Sequence, residues 1–92
     1  MASTLTRLLL LNERDNVAVA VHALRSGEEV EVRGRRLAVV DDIPFGHKLA
    51  VAEIGTGEGV IKYGELIGRA TSPIGSGRHV HVHNVVSGRL PG

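Results

Sequence analysis

The sequence predicts a compact, irregular all-β domain of short strands and glycine turns. Three observations carry that expectation. Apolar residues alternate with polar ones in short runs, the period of a half-buried strand, and no sustained 3.6-residue pattern appears. Twelve glycines cut the chain into short pieces. A turn-and-strand grammar also recurs: an apolar residue, two turn residues and a glycine, then apolar residues three and five positions beyond that glycine.

In chain order, Thr4–Leu11 reads as a first strand, ended by the polar turn Asn12–Asn16. Asn16–Val21 alternates valine with alanine and reads as an interior strand, with something small packed on its alanine side. A short helix over Val17–Leu24 is the competing reading, because periodicity cannot arbitrate so short an apolar run. The grammar then begins. Leu24–Gly27 leads to Val30 and Val32, Ile43–Gly46 to Leu49 and Val51, and Ile74–Gly77 to Val80 and Val82; these six residues are expected in the core. Ile54–Gly57 starts a partial fourth copy that keeps Val60 but has Lys62 at the second apolar position. Reuse of a common unit accounts for this without an internal duplication. Arg33–Gly34 suits a hairpin turn between Glu29–Val32 and Arg36–Val40. The organisation expected is an N-terminal strand segment over residues 1–11, a β domain over 12–86 and a C-terminal tail over 87–92.

Composition narrows the function. The chain has 92 residues, a single domain that buries roughly 60–68% of its unfolded surface and gains stability from a partner. Cysteine is absent, which removes thiolate nucleophiles, disulfides and Cys-type zinc sites. Net charge is +1, with no basic run and no aromatic stacking platform, so no nucleic-acid partner is expected. The leucines of Thr6–Leu11 fall far short of the roughly 18 apolar residues of a membrane span. A soluble, cytoplasmic protein is the default expectation.

Chemistry concentrates near the C-terminus, where His79, His81 and His83 alternate with Val80 and Val82. On a strand the valines would face the core and the imidazoles would line the other face, roughly 6–7 Å apart. Three readings stand open: metal ligation, acid–base work near neutrality, or a half-exposed face without a role. Asn84 adds an amide beside them. Lys48, preceded by His47, stands where the first copy has the solvated Glu29, and Lys62 occupies a position the grammar would make apolar. Lys48 and Lys62 could hold a carboxylate, and Tyr63 could act as an acid or simply pack. His22 reads as a core histidine, and Asp41–Asp42 as turn chemistry. Gly55–Gly59 lacks the Lys-Ser/Thr and helix of a phosphate loop.

The segments Ile43–Pro44–Phe45–Gly46–His47–Lys48, Ile61–Lys62–Tyr63–Gly64, Ile67–Gly68 and Val80–His81–Val82–His83–Asn84 together resemble one known family. It is the SAF (antifreeze-like, β-clip) domain of the altronate/galactarate dehydratases, with pattern I-P-x-G-H-K, I-K-Y-G-x-x-I-G and V-H-x-H-N. Asp15–Asn16–Val17 matches the opening of these domains, so the resemblance covers about Asn12–Val86. It implies a β-clip fold and a part in metal-assisted dehydration of sugar acids, with Fe2+ or Mn2+. A stand-alone small subunit, as in the sulfolactate sulfo-lyase branch, fits the chain's length. Carried over by position, the motif residues are His47, Lys48, Lys62, Tyr63, His81, His83 and Asn84; His79 lies outside the pattern.

The resulting expectation is a lyase component that is inactive alone and completes its site with a large catalytic subunit, acting on a hydroxy acid or sugar acid. His81, His83 and His47 would be catalytic, and Lys48, Lys62, Tyr63 and Asn84 would bind substrate. His81 and His83 would also be the metal pair. The alternative is a non-catalytic substrate-binding or assembly domain of the same complex. A homo-oligomer is compatible with either.

Overall fold

The computed structural model describes residues 7–87, and every regular element among them is a strand. The strands are β1 (Leu8–Leu9), β2 (Val17–Ala20), β3 (Glu29–Val32), β4 (Arg35–Ala38), β5 (Lys48–Ala50), β6 (Gly59–Lys62), β7 (Glu65–Ala70), β8 (His79–Val80) and β9 (Val85–Val86). They form a four-stranded sheet in the order β1-β2-β5-β8, a β3-β4 hairpin and a three-stranded sheet in the order β6-β7-β9. All the pairings are antiparallel. The all-β expectation holds.

Val17–Ala20 is a strand, not a helix, because both its edges are paired, to β1 and to β5. Ala18 stands opposite Leu49, a small side chain against a large one, and both are buried. The expected first strand contracts to Leu8–Leu9, and its residues 4–6 lie outside the described residues.

The recurring turns prove to be a structural duplication, which reuse of a common unit did not anticipate. Leu24 and Ile43 exchange both backbone hydrogen bonds at 2.8 Å, and Ile54 and Ile74 do the same at 2.9 and 2.8 Å. Gly27 donates its N–H to the Val39 carbonyl just as Gly57 donates to Ala70, both at 2.8 Å. Gly46 donates to Ala20 as Gly77 donates to Ala50, again at 2.8 Å. All four turn glycines have positive φ, between 83° and 97°, where a Cβ would be strained.

The hairpins match too. Arg33 and Gly34 (φ 52° and 76°) correspond to Tyr63 and Gly64 (φ 55° and 78°), both with the doubly positive φ of a type I′ turn. The second hairpin has one extra residue, absorbed as a register shift between Val60 and Ile61. Two small cores follow from this plan. Ala20, Leu24, Val30, Val39, Ile43 and Leu49 pack in one; Ala50, Ile54, Val60, Ala70, Ile74 and Val80 pack in the other, with Val17.

Three sequence expectations need correction. Val82 is 81% exposed, because β8 stops at Val80 and His81–Asn84 form a turn. Asn84 makes that turn: its N–H donates to the His81 carbonyl at 3.1 Å, and its side-chain oxygen accepts the His81 N–H at 3.0 Å. The His81 amide group is therefore withdrawn from the ladder, and the alternation loses its strand meaning. Val32 and Val51 are only half-buried, at the margin of one core, while Val30, Leu49 and Val80 are buried as expected. His22 is exposed in the turn after β2, since the apolar alternation that placed it inside ends with that strand.

Candidate functional site: a histidine cluster beside two lysines

Strand pairing assembles the site. His47 follows the Ile43–Gly46 turn and immediately precedes β5; its backbone carbonyl accepts from Ala20 at 2.9 Å, and its N–H donates to Pro44 at 3.0 Å. β8 pairs with β5, placing His79 opposite Leu49 and Val80 opposite Lys48. The imidazoles of His47, His79 and His81 thereby stack. Ring centroids lie 5.0 Å apart for His47–His79, 4.0 Å for His47–His81 and 5.5 Å for His79–His81, with planes within 21°. His47 Nδ1 and His79 Nε2 share a hydrogen bond of 2.8 Å, with the donor set by tautomer. One ring nitrogen from each of the three lies within 4.8 Å of those of the other two. His83 is exposed on the turn, with its ring tilted and 5.2 Å from that of His79.

Fixed backbone lies beneath these rings. Asp41 accepts the His79 N–H at 3.0 Å and the Arg78 guanidinium at 3.1 Å, so it braces the entry to β8. Asp42 accepts the Ser26 N–H at 2.9 Å, the turn chemistry expected of this pair. Asn84 is buried, and its amide is occupied by backbone: beyond the His81 N–H it donates to the His79 carbonyl at 2.9 Å. This geometry makes Asn84 a positioning residue for two histidines.

Lys48 and Lys62 extend the cluster. Burial, then the charge of Lys62, holds the Lys48 pKa below the usual lysine value. Lys62 lies with its Nζ 5.0 Å from the Tyr63 ring centroid, a cation–π contact at the tip of the β6–β7 hairpin. That tip is tied down from the chain's start. Asp15 accepts the Gly64 N–H at 2.7 Å, and Asn16 accepts from Ile61 at 2.7 Å while donating to the Gly59 carbonyl at 2.9 Å. Asp15 and Asn16 thus do structural work for the hairpin that carries Lys62 and Tyr63.

The electrostatics favour the neutral imidazole at His79 and at His81. Burial, then the neighbouring His47, His83 and His81, lower the His79 pKa, with Asp41 partly opposing. His81 is lowered by desolvation, then by His47, Lys48 and His83. Its Nδ1 is buried with no hydrogen-bond partner. A base whose pKa falls on folding binds fewer protons in the folded state than in the unfolded one. Stability is therefore full above the ordinary imidazole value of 6.5 and declines as pH falls below it, until the folded pKa is reached. Thermal melts of the metal-free chain between pH 7.5 and 5 are expected to show a falling Tm. The double variant His79→Gln, His81→Gln should flatten that slope; an unchanged slope would place the effect elsewhere.

The structure thus gathers His47, Lys48, Lys62, Tyr63, His81, His83 and Asn84 into one region and adds His79. His79 was visible in the alternation but outside the family pattern, and its partner His47 is distant in sequence. A groove of about 190 Å3 lined by Lys48, Ile67, His81, Val82 and Val85 opens beside the cluster. No helix among the described residues is long and apolar enough to cross a membrane.

Comparison with known proteins gives the architecture a family. A model of the altronate/galactarate dehydratase SAF domain matches residues 6–88. Altronate dehydratase of Bacillus subtilis is 39% identical over 74 residues, covering 80% of this chain and 15% of that protein. Altronate dehydratase of Escherichia coli is 47% identical over 70 residues, 76% of this chain and 14% of that protein. The (2R)-sulfolactate sulfo-lyase subunit alpha of Chromohalobacter salexigens is 49% identical over 57 residues, 62% of this chain and 61% of that subunit. The chain therefore spans only about one-seventh of the two dehydratases and about three-fifths of the sulfo-lyase subunit. Matched along nearly its whole length, the chain belongs to the altronate/galactarate dehydratase SAF domain family.

Proposed function

We propose that this chain is the small component of a hydroxy-acid or sugar-acid lyase and lends its histidine–lysine face to an elimination site shared with a large catalytic subunit. The observation that carries the reading is the convergence of three imidazoles with Lys48 and Lys62 on one open face. Its relatives support it, being altronate dehydratases and a sulfo-lyase subunit.

The chemistry calls for such groups. In β-elimination of water from a 2,3-dihydroxy acid, the bond from the α-carbon to its hydrogen breaks and the proton passes to a base. The hydroxyl leaves the β-carbon, and the resulting enol tautomerises to a 2-keto-3-deoxy acid. Negative charge develops on the carboxylate oxygens as the proton departs, and nearby cations stabilise it. Lys48 and Lys62 supply fixed positive charge for that carboxylate. The histidines supply nitrogen lone pairs, and burial and neighbouring charge favour the unprotonated form of His79 and His81.

The residues also fit the divalent ion that the family resemblance implies, through one ring nitrogen from each of three histidines. When bound, such an ion would polarise the carboxylate. The groove of about 190 Å3 is smaller than the roughly 300 Å3 at which ligand pockets usually begin. Its missing wall is assigned to the partner subunit.

The test is reconstitution. The 92-residue chain, its cognate large subunit and the mixture are each assayed for conversion of candidate hydroxy acids to keto acids or, with sulfolactate, for sulfite release. Turnover is expected from the mixture alone. Full activity of the large subunit by itself, or turnover by this chain alone, would overturn the reading.

A further inference from the structure

We infer that His47, His79 and His81 form a three-imidazole site for one divalent transition-metal ion, with His83 outside it; the ligand set rests on the chain's own geometry, and the ion's place in elimination rests on the function proposed above. The family pattern points to a different set, the pair His81 and His83. In the structure His83 sits on an exposed turn, whereas one ring nitrogen from each of the other three falls within 4.8 Å of its counterparts. Metal–imidazole bonds of about 2.0–2.1 Å place the nitrogens of a tetrahedral site roughly 3.4 Å apart. The His47–His79 pair is already at 2.8 Å. The rings are stacked, so ligation requires them to turn until their in-plane lone pairs converge on the ion.

A second observation points the same way. The Nδ1 of His81 is buried without a partner, a state that costs free energy and that an ion would relieve in the tautomer whose lone pair is on Nδ1. The backbone N–H of His81 is engaged by Asn84, and the nearest rings bond to one another. An ion would satisfy all three rings together. Whichever of His47 and His79 now donates would shift to its other tautomer through solvent, with no net proton released.

The donor set also selects the ion. Three neutral nitrogens suit Fe2+, Co2+, Ni2+ or Zn2+ and are poor ligands for Mg2+ or Ca2+; between Fe2+ and Mn2+ they favour Fe2+. Among the described residues no carboxylate joins them; Asp41 is held by Arg78 and the His79 N–H. The ion keeps its full double charge beside Lys48. Its open positions would attract an anionic chelator, and a 2-hydroxy carboxylate is the chemical class that fits. In that arrangement the histidines are ligands, and proton transfer falls to the partner subunit.

The experiment is a Co2+ titration of the metal-free 92-residue chain, followed by visible absorption, with Zn2+ competition for affinity. One saturable site per chain is expected. His47→Ala, His79→Ala and His81→Ala should each weaken it at least about tenfold, with His83→Ala within about twofold of the parent. Circular dichroism and a thermal melt identify any variant that fails to fold, and for that position His→Gln replaces His→Ala. Absence of saturable binding, or a loss in His83→Ala as large as in the other three, would overturn the inference. The titration involves no turnover. A chain that binds Co2+ through this triad but supports no elimination with its large subunit would refute the proposed function and leave the metal site standing.

Discussion

Replacing Lys48 by methionine in the reconstituted complex is expected to lower kcat at least about 10²-fold, the usual effect of removing one preorganised charge from a developing oxyanion. Methionine keeps the length and apolar stem of the side chain, so packing between β2 and β8 is retained while the cation is lost. Lys48 is the natural choice because it is coupled electrostatically to both Lys62 and His81. It is half-buried in β5, Lys62 lowers its pKa from one side, and it lowers that of His81 on the other. A group that held only the ground-state carboxylate would show its loss in KM with kcat intact. Wild-type kcat and KM in the Lys48→Met complex would support the alternative of an assembly domain whose basic face serves contact with the large subunit.

Gly77→Ala is expected to destabilise the fold by about 3 kcal/mol or more, against about 1–2 kcal/mol for Gly46→Ala, the corresponding residue of the other half. The two glycines have nearly the same backbone conformation, with φ of 88° and 84°, so left-handed strain is common to both. Their surroundings differ. A Cβ on Gly46 would meet nothing within 4 Å, whereas one on Gly77 would overlap the Ala38 carbonyl oxygen and crowd Val40. Gly77 is also fixed from both sides, donating to the Ala50 carbonyl at 2.8 Å and accepting from Val40 at 2.9 Å. The turn cannot move aside without breaking those bonds. Since a domain of this size has only some 5–14 kcal/mol of stability, the loss is a large share of it. Urea unfolding of both variants measures the difference, and equal losses would show that the backbone contact relaxes.

The same pair of glycines marks how far the sequence could be read. Both turns obey one grammar, and the sequence predicted both as glycine-led turns that feed strands. Nothing local separates Gly46 from Gly77, because the Ala38 carbonyl that distinguishes them comes from a distant hairpin. The duplication was likewise visible only as a repeated spacing. What makes it real is the paired bonding of Leu24 with Ile43 and of Ile54 with Ile74, contacts whose two partners lie far apart in sequence.

Amino-acid order by itself determined the all-β class, the glycine turns, the Arg33–Gly34 hairpin and the buried Val30, Leu49 and Val80. These follow from side-chain period and from φ preference, which act over a few residues. The family was legible too, since its motifs are short and lie in order. Tertiary structure decided the rest. Alternation in His79–His83 suggested three imidazoles along one strand face, but Asn84 turned the chain after His81 and left Val82 in solvent. Pairing of β8 with β5 then brought His79 against His47, thirty-two residues away. Local periodicity places a histidine on a face, but long-range pairing decides which other rings it meets.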